Sequence, residues 1–491
     1  MASAHSVLLC AALSIALLWL LFPRHVNTPA AHESTSKVQK RAWPKPPPDY
    51  CSARFTGEEG VGPEDLHLRG VALVIRHGDR SSIHRLTSEP TSWRCEATKG
   101  SAAADALSVI AKGFDVRRLN TGERLARVLR SAAAANGDCE PGQLTPSGIV
   151  QHLTLGKHLS RAYAEILPKV GRERAAMGPL APLPVYVRST DYTRTLLSAC
   201  ALLVGLLRAE SFGPAPPSRI SIDVETNEAV DVMHGVGPAS SSKVRGDGGG
   251  ERQRAGLCAV AALHAARQQA SIVTTAPLRR SLLDVFGNET GAAPTTHIAD
   301  ALYARACHGL PPPCTPRGCV SPSLVTRVWR DADSVYCRRF AGADGGLAAS
   351  KLSMLPLLRT ITSKLTPMLS SPTAPRIALF SGHDTVVAPL LAALSALSAA
   401  PGACRWPPYA SHVAFEVWHP RHAFKAARNR TANNFVRIVF NGFPITQYVD
   451  GCDDEFCPFP SFMATIDALE AYFRDSCPDA ISTLAVQPPV S

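Results

Sequence analysis

The sequence predicts an α/β protein: an open, mostly parallel sheet flanked by helices, with a helical insertion forming a cap subdomain. Three observations predict it. Five short apolar runs read as strands, several of them apolar throughout, the pattern of a strand covered on both faces. Helical patterns lie between these runs, so strand and helix alternate along the chain. The stretch from about 205 to 370 is helical in character with few strand signals, and is far longer than an ordinary connection.

The strand runs, in order, are VALVIR (71–76), PVYVRS (184–189), RIALFSGH (376–383), HVAFEVW (412–418) and FVRIVFNG (435–442). A first helix is expected from Thr145-Pro146, with Thr145 as N-cap, Pro146 in the first turn, and Ile149, Leu153, Leu155 and Leu159 facing inward. A second follows Asp191 (TRTLLSACALLVGLLRAE) and a third follows Asp384 (TVVAPLLAALSAL). This places an α/β core at about 65–205 and 372–460 and the mainly helical insertion at about 206–370. VGPASSSKVRGDGGGERQRAG (236–256) has little that could pack and reads as a disordered surface insertion. GLPPPCTPRGCVSP (309–322) is a second irregular segment that Cys314 and Cys319 are placed to close.

The N-terminus carries a different signal. SVLLCAALSIALLWLLF (6–22) is long enough to span a bilayer and has Trp19 near one end. Pro23, Arg24 and His25 follow it where a cleaved leader would have small residues, so a retained signal anchor is expected, with residues 1–5 as a short cytoplasmic tail. A cleaved leader, with a site near Ala30, is the competing reading. Residues 23–50 are polar and proline-rich, and PKPPP should make them a stiff lumenal stem. The globular body then begins at Cys51 and runs to 491.

With 45% hydrophobic residues the chain can build a sizeable core. Its net charge of +11 is spread along the chain without lysine blocks or basic–aromatic interleaving, so no nucleic-acid partner is expected. A diffuse positive field suits an anionic substrate better. Thirteen cysteines lie beyond the apolar segment; none forms CxxC, and no Cys/His spacing suggests a metal site. Behind a membrane signal they read as structural disulfides in an oxidising lumen, with an odd one left over. The sequons at Asn288 and Asn429 agree with a glycosylated, lumenal body.

Three of the strand runs end in residues of one chemical kind. The first ends Arg76-His77-Gly78-Asp79-Arg80, another Val187-Arg188-Ser189, a third Ser381-Gly382-His383-Asp384. Open α/β sheets bind ligands beyond the carboxyl ends of their strands. Three arginines and two histidines gathered there would converge on one anionic group, the planar guanidinium fork matching phosphate oxygens. Gly78 lets the backbone approach closely. Each residue also has a plainer reading. A lone histidine at a strand end is more often structural, Arg188 alone suits a surface ion pair, and Asp384 before a helix suits an N-cap. The combination of R-H-G-x-R at one strand end and Gly-His-Asp at another points instead to a reaction centre.

RHGDR followed by a distant HD resembles the histidine acid phosphatases, a branch of the histidine phosphatase superfamily. QLTPSG (143–148), VRSTDYTRT (187–195), FSGHDTVV (380–387) and FPITQYVDGCDDEFCPFPSFM (443–463) extend the resemblance through most of the body. It implies that His77 attacks phosphorus to form a phosphohistidine. It implies that Arg76, Arg80, Arg188 and His383 hold the phosphoryl oxygens, and that Asp384 protonates the leaving alcohol; no metal or cofactor is implied. The chemistry of these residues agrees, because a neutral imidazole is a good nucleophile and guanidiniums cancel the charge that repels it. Members commonly have proline two residues after the second arginine. This chain has Ser82, which puts the stiffness of that loop in question.

The apolar segment, the stem and IVQHLTLGKHLSRAY (149–163) are most similar to the family's Golgi branch, the 2-phosphoxylose phosphatases, which remove a transient phosphate from xylose in the proteoglycan linker. That implies a phosphorylated glycan substrate and a single-pass type II Golgi membrane protein, and leaves a homodimer or a glycosyltransferase complex open. A broad-specificity lysosomal-type acid phosphatase and a non-catalytic lumenal binding protein are the alternatives. A cleaved leader or a C-terminal anchor would favour the first, and STLAVQPPVS is not expected to supply such an anchor. Loss of His77 or Asp384 would favour the second, and both are present.

Overall fold

The computed structural model describes residues 50–84, 86, 94–119, 121–125, 139–167, 185–207, 220–226, 231–233, 275–343, 345–421 and 433–476. The expected tail, anchor and stem, the Ser/Gly-rich stretch 236–256 and Asn429 lie outside these residues. Among the described residues no helix is long and apolar enough to cross a membrane.

In chain order the elements are β1 (Leu66–Arg76), α1 (Ala102–Gly113), β2 (Phe114–Arg118), α2 (Pro146–Ala162), β3 (Val185–Thr190), α3 (Thr193–Leu206) and β4 (Ile220–Glu225). Then come α4 (Ala276–Gly291), α5 (Thr295–Cys307), a two-rung hairpin of β5 (Cys314–Thr315) and β6 (Gly318–Cys319), α6 (Pro322–Ala341) and α7 (Gly346–Ser370). The chain returns to the sheet with β7 (Ile377–Gly382), followed by α8 (Asp384–Ala393), α9 (Ala396–Ala399), β8 (His412–Pro420), β9 (Phe435–Phe440), β10 (Phe443–Pro444), β11 (Cys457–Pro458) and α10 (Phe459–Ser476).

The main sheet runs β10-β9-β8-β1-β7-β3-β4-β2, with β11 on β9. The pairs β1–β7, β7–β3, β3–β4 and β4–β2 are parallel, whereas β8 and β9 continue the other side antiparallel. The sheet is therefore mixed and mostly parallel, flanked by helices, as the sequence predicts. Two apolar layers explain why Val71–Ile75 of β1 reads as one unbroken apolar run. Val71, Leu73 and Ile75 enter the layer built with α1, α2 and α3, while Ala72 and Val74 enter the layer built with α4 to α8 and α10. Both faces of the strand are covered, so no position along it can be polar cheaply.

All five expected strands form, and the described residues add β2, β4, β10 and β11 to the main sheet and the separate β5–β6 hairpin, none of which the apolar runs revealed. β4 lies inside the stretch taken as a helical insertion, yet it is an interior strand between β3 and β2. Its sequence ISIDVE alternates apolar and polar residues, the period of a strand rather than a helix. The helical part of the insertion, as described, is α4 to α7 (276–370) with the small hairpin. The first expected helix forms as α2, its N-cap Thr145 accepting from Gly148 N.

Asp384 differs from its plainer reading. His383 occupies the N-cap position of α8 and Asp384 is the first residue of the helix, so it is not the cap.

Among the described residues five disulfides join Cys51–Cys307, Cys95–Cys139, Cys314–Cys319, Cys337–Cys404 and Cys452–Cys457. Cys200 is free and buried.

Candidate active site

Parallel pairing sets Arg76 against Gly382, so β1 and β7 end side by side and release His77 and His383 into neighbouring loops. Gly78 is required at the next position. A Cβ there would stand 2.5 Å from the carbonyl oxygen of Gly148, because the loop lies directly on the first turn of α2. The loop is pinned on both sides: His77 N–H donates to Gly382 O (3.0 Å), Gly78 N–H to Ser198 Oγ (3.1 Å) and Thr145 N–H to Asp79 O (3.0 Å).

His77 is 2% exposed. Its Nδ1 lies 2.8 Å from the Gly78 carbonyl, which can only accept, so Nδ1 carries the proton and Nε2 keeps its lone pair. Burial pushes the imidazole pKa well below 6.5, and Arg76, Arg194 and Arg80 push it in the same direction. The ring is thus neutral at physiological pH. The His383 ring lies 5.5 Å away.

The arginines are buried and held. Arg76 Nη2 lies 2.9 Å from Asp384 Oδ2, Nη1 donates to Pro407 O, and the guanidinium packs over the Tyr409 ring at 4.4 Å. Arg80 Nη2 donates to Asp300 Oδ1 at 2.8 Å. Even so, Arg76 Nε, Arg80 Nε, Arg188 Nε and Arg194 Nε are buried with no acceptor among the described residues. A buried donor without a partner is costly, and those of Arg76, Arg80 and Arg194, whose charges act on the neutral His77, are suited to an anion.

Arg188 is buried at the end of β3, where its Nη2 meets Asp231 Oδ1 at 3.3 Å. The arginine whose field acts on His77 alongside Arg76 and Arg80 is instead Arg194, in the first turn of α3. Arg194 lies within VRSTDYTRT and carries no expected role there. The signal was there: a strand, a short turn and a cation at the start of the next helix. Arg194 Nη2 lies 3.5 Å from His383 Nδ1, and its guanidinium packs on Tyr192 at 4.3 Å. Burial, with Arg80 nearby, brings its pKa down to about 10. His383 Nε2 is 3.1 Å from Thr190 Oγ1, so its ring is set between β3 and α3.

Asp384 is the carboxylate of the site. Burial alone would raise its pKa, but Arg76 and the hydrogen bond from Trp406 Nε1 to Oδ2 (2.8 Å) hold it at about 2. Asp79 is engaged elsewhere, its Oδ2 accepting from Thr145 Oγ1 at 2.5 Å and paired with His308 Nε2 at 2.7 Å. Asn288 is exposed on α4. Among the described residues no group of three or more His, Cys, Asp or Glu side chains is placed to hold a metal ion.

The chain is similar to several known proteins. The chain is 26% identical over 459 residues to counting factor 60 of Dictyostelium discoideum, covering 89% of this chain and 94% of that protein. It is 25% identical over 463 residues to 2-phosphoxylose phosphatase 1 of Xenopus tropicalis, covering 87% and 82%. It is 27% identical over 405 residues to lysosomal acid phosphatase of Bos taurus, covering 81% and 76%. Residues 67–260 and 331–441 match the family described as the histidine phosphatase superfamily (branch 2). Spanning more than half the chain, that match shows that the protein belongs to this superfamily branch and is a phosphoric monoester hydrolase.

Proposed function

We propose that the protein hydrolyses phosphate monoesters through a phosphohistidine on His77, and that its substrate is a sugar phosphate, the 2-phosphate of xylose in the proteoglycan linker. The observation that carries the mechanism is a neutral, buried imidazole beside Arg76, Arg80 and Arg194, whose guanidiniums keep unfilled donors. Nε2 of His77 attacks phosphorus, the bond from phosphorus to the ester oxygen breaks, and the leaving oxygen takes a proton from Asp384. Water then attacks the phosphohistidine while Asp384 accepts its proton, the P–N bond breaks, and His77 returns to its neutral state.

The depressed pKa of Asp384 adds a condition. At about 2 the carboxyl is ionised before substrate binds, so it must first collect a proton. The monoanionic monoester carries one, since its second ionisation lies near about 6. Substrate therefore brings the proton that Asp384 hands to the leaving group.

The xylose assignment is supported by relatives named 2-phosphoxylose phosphatase 1, at 24–26% identity over most of the chain in Xenopus tropicalis, Danio rerio and Homo sapiens. The similar identity of lysosomal acid phosphatase, 27%, favours a second reading, a broad-specificity enzyme. A lumenal, membrane-anchored body is part of the proposal. Five disulfides favour an oxidising compartment, and 6–22 would supply the anchor.

Acid-quenched wild-type enzyme should carry an acid-labile phosphate on His77, and His77→Ala should lose both that phosphate and turnover. Substantial turnover in His77→Ala would overturn the mechanism. A turnover screen of phosphorylated linker glycans against simple monoesters decides between the two substrate readings. Glycosidase digestion and carbonate extraction test the topology: a mass shift with retention in the membrane fraction is expected, and a secreted product starting near residue 32 would refute the anchor.

A further inference from the structure

The loop that follows the RHGDR motif is held from a distance. Asp300, midway along α5 and 2% exposed, is its common acceptor. Oδ1 takes Arg80 Nη2 at 2.8 Å, while Oδ2 takes the main-chain N–H groups of Ile83 at 2.9 Å and His84 at 3.4 Å. Ser82 Oγ also lies 3.3 Å from Oδ2, although its one proton is closer to the His84 carbonyl at 2.5 Å. A carboxylate offers about four lone-pair sites, and residues 80–84 occupy most of them. Burial would raise the pKa of Asp300; Arg80 and the loop hydrogen bonds hold it below the ordinary value, so the group is ionised.

The same helix meets the motif region elsewhere. His297 stacks on His84 at 3.7 Å, Tyr303 stacks on Tyr50 at 3.5 Å, and Cys307 is bonded to Cys51. His308, just past the helix end, reaches Asp79.

We propose that Asp300 is a positioning residue for phosphate binding, fixing the Arg80 guanidinium and the main chain of 82–84 from the cap helix. The inference rests on the reading of Arg80 as a phosphate ligand. It also answers the question raised by Ser82. No pyrrolidine ring stiffens the loop there, and a carboxylate from another element supplies the restraint externally. On the opposite side the loop is braced by Ser81 N–H to Gln143 O (2.9 Å) and Gly142 N–H to Ser82 O (3.2 Å). Those contacts hold the backbone but do not touch the guanidinium, which donates through Nη1 to Ser81 O (3.1 Å) and through Nη2 to Asp300, its one charged partner in the loop's surroundings among the described residues.

The test is binding of inorganic phosphate to the detergent-solubilised full chain by calorimetry, which needs no turnover. Wild type, Asp300→Asn, Arg80→Ala and the double variant are compared. Asp300→Asn should weaken phosphate about tenfold, and the double variant should bind no more weakly than Arg80→Ala, because Asp300 acts through Arg80. Adding Ser82→Pro to Asp300→Asn should recover part of the loss. A folded Asp300→Asn that binds phosphate like wild type, or a double variant whose losses multiply, overturns the inference. If Asp300→Asn does not fold, Asp300→Glu is read in its place. It keeps the charge but shifts the Arg80 fork by a methylene, and about a threefold loss, absent in the Arg80→Ala background, is expected. No loss in a folded Asp300→Glu overturns the inference too. Wild type failing to bind phosphate would instead overturn the phosphate-site reading itself, and the inference with it.

Discussion

Replacing Asp384 with Asn separates two duties of one side chain. Trp406 Nε1 and Arg76 Nη2 both lie against Oδ2, so an Asn carbonyl can take that place with the amide group where Oδ1 stood. Shape is kept and charge is lost. Holding the carboxyl from 3.8 down to about 2 corresponds to roughly 2 kcal/mol of folding stability. Because the folded pKa is depressed, that contribution is complete above the unfolded value and is lost as pH falls toward about 2. Asp384→Asn should forfeit roughly 2 kcal/mol near neutral pH, more than the loss of a helix cap, since it also strips fully buried Arg76 of its counter-charge. Denaturant titration measures this. The catalytic loss is larger and depends on the leaving group. In single-turnover measurements of the phosphorylation step, a sugar phosphate should slow by about a hundredfold to ten-thousandfold for want of an acid. A nitrophenyl ester departs with little help and should slow far less in the same step. Equal slowing of both esters would refute Asp384 as the acid.

Two further predictions concern pH. If substrate delivers the proton, the alkaline limb of kcat/KM should lie near the second ionisation of the ester, about 6, and should move down for esters of more acidic alcohols. A limb that stays put across esters would refute proton delivery by substrate. Stability should respond in the opposite direction. His77 and His152 are buried and kept neutral, His152 lowered to about 3, chiefly by burial. The unfolded chain protonates both as pH drops below 6.5 while the folded protein does not. Stability should therefore fall on acidification, by up to about 1.4 kcal/mol per pH unit for each histidine. A denaturation midpoint that is flat or rising from pH 6.5 to 5 would contradict this, and His152→Gln should reduce the slope.

Much of this architecture is legible in the residues because burial leaves a one-dimensional trace. Val71–Ile75 of β1, Ile377–Phe380 of β7 and Val413–Phe415 of β8 are covered on both faces, so these stretches are apolar runs. β2 and β4 each leave some positions partly open, and FDVRR and ISIDVE carry charges that hide them from a search for such runs. The site divides the same way. His77, Arg76, Arg80, His383 and Asp384 sit at strand ends and so are readable from strand and motif together. Arg188 is where its strand requires, yet the structure pairs it with Asp231 and puts Arg194 beside His383. Asp300 had no local signal at all, because its meaning comes from Arg80, 220 residues away.

The position of β1 in the sheet has a consequence for biosynthesis. Its two neighbours, β7 and β8, begin at Ile377 and His412, so the strand that presents His77 is translated early and paired late. At about 5–20 residues per second, the interval between Val71 and Ile377 lasts on the order of 15–60 s. Through that time an apolar strand stands with both edges open, the condition that favours association with other chains. Cys51 must wait as well, since Cys307 follows 256 residues later. β2, β3 and β4 can pair among themselves, whereas β1 cannot join them until β7 arrives to bridge it to β3. A chain that stops before residue 377 is therefore no weakened enzyme: it leaves β1 without either of its sheet partners.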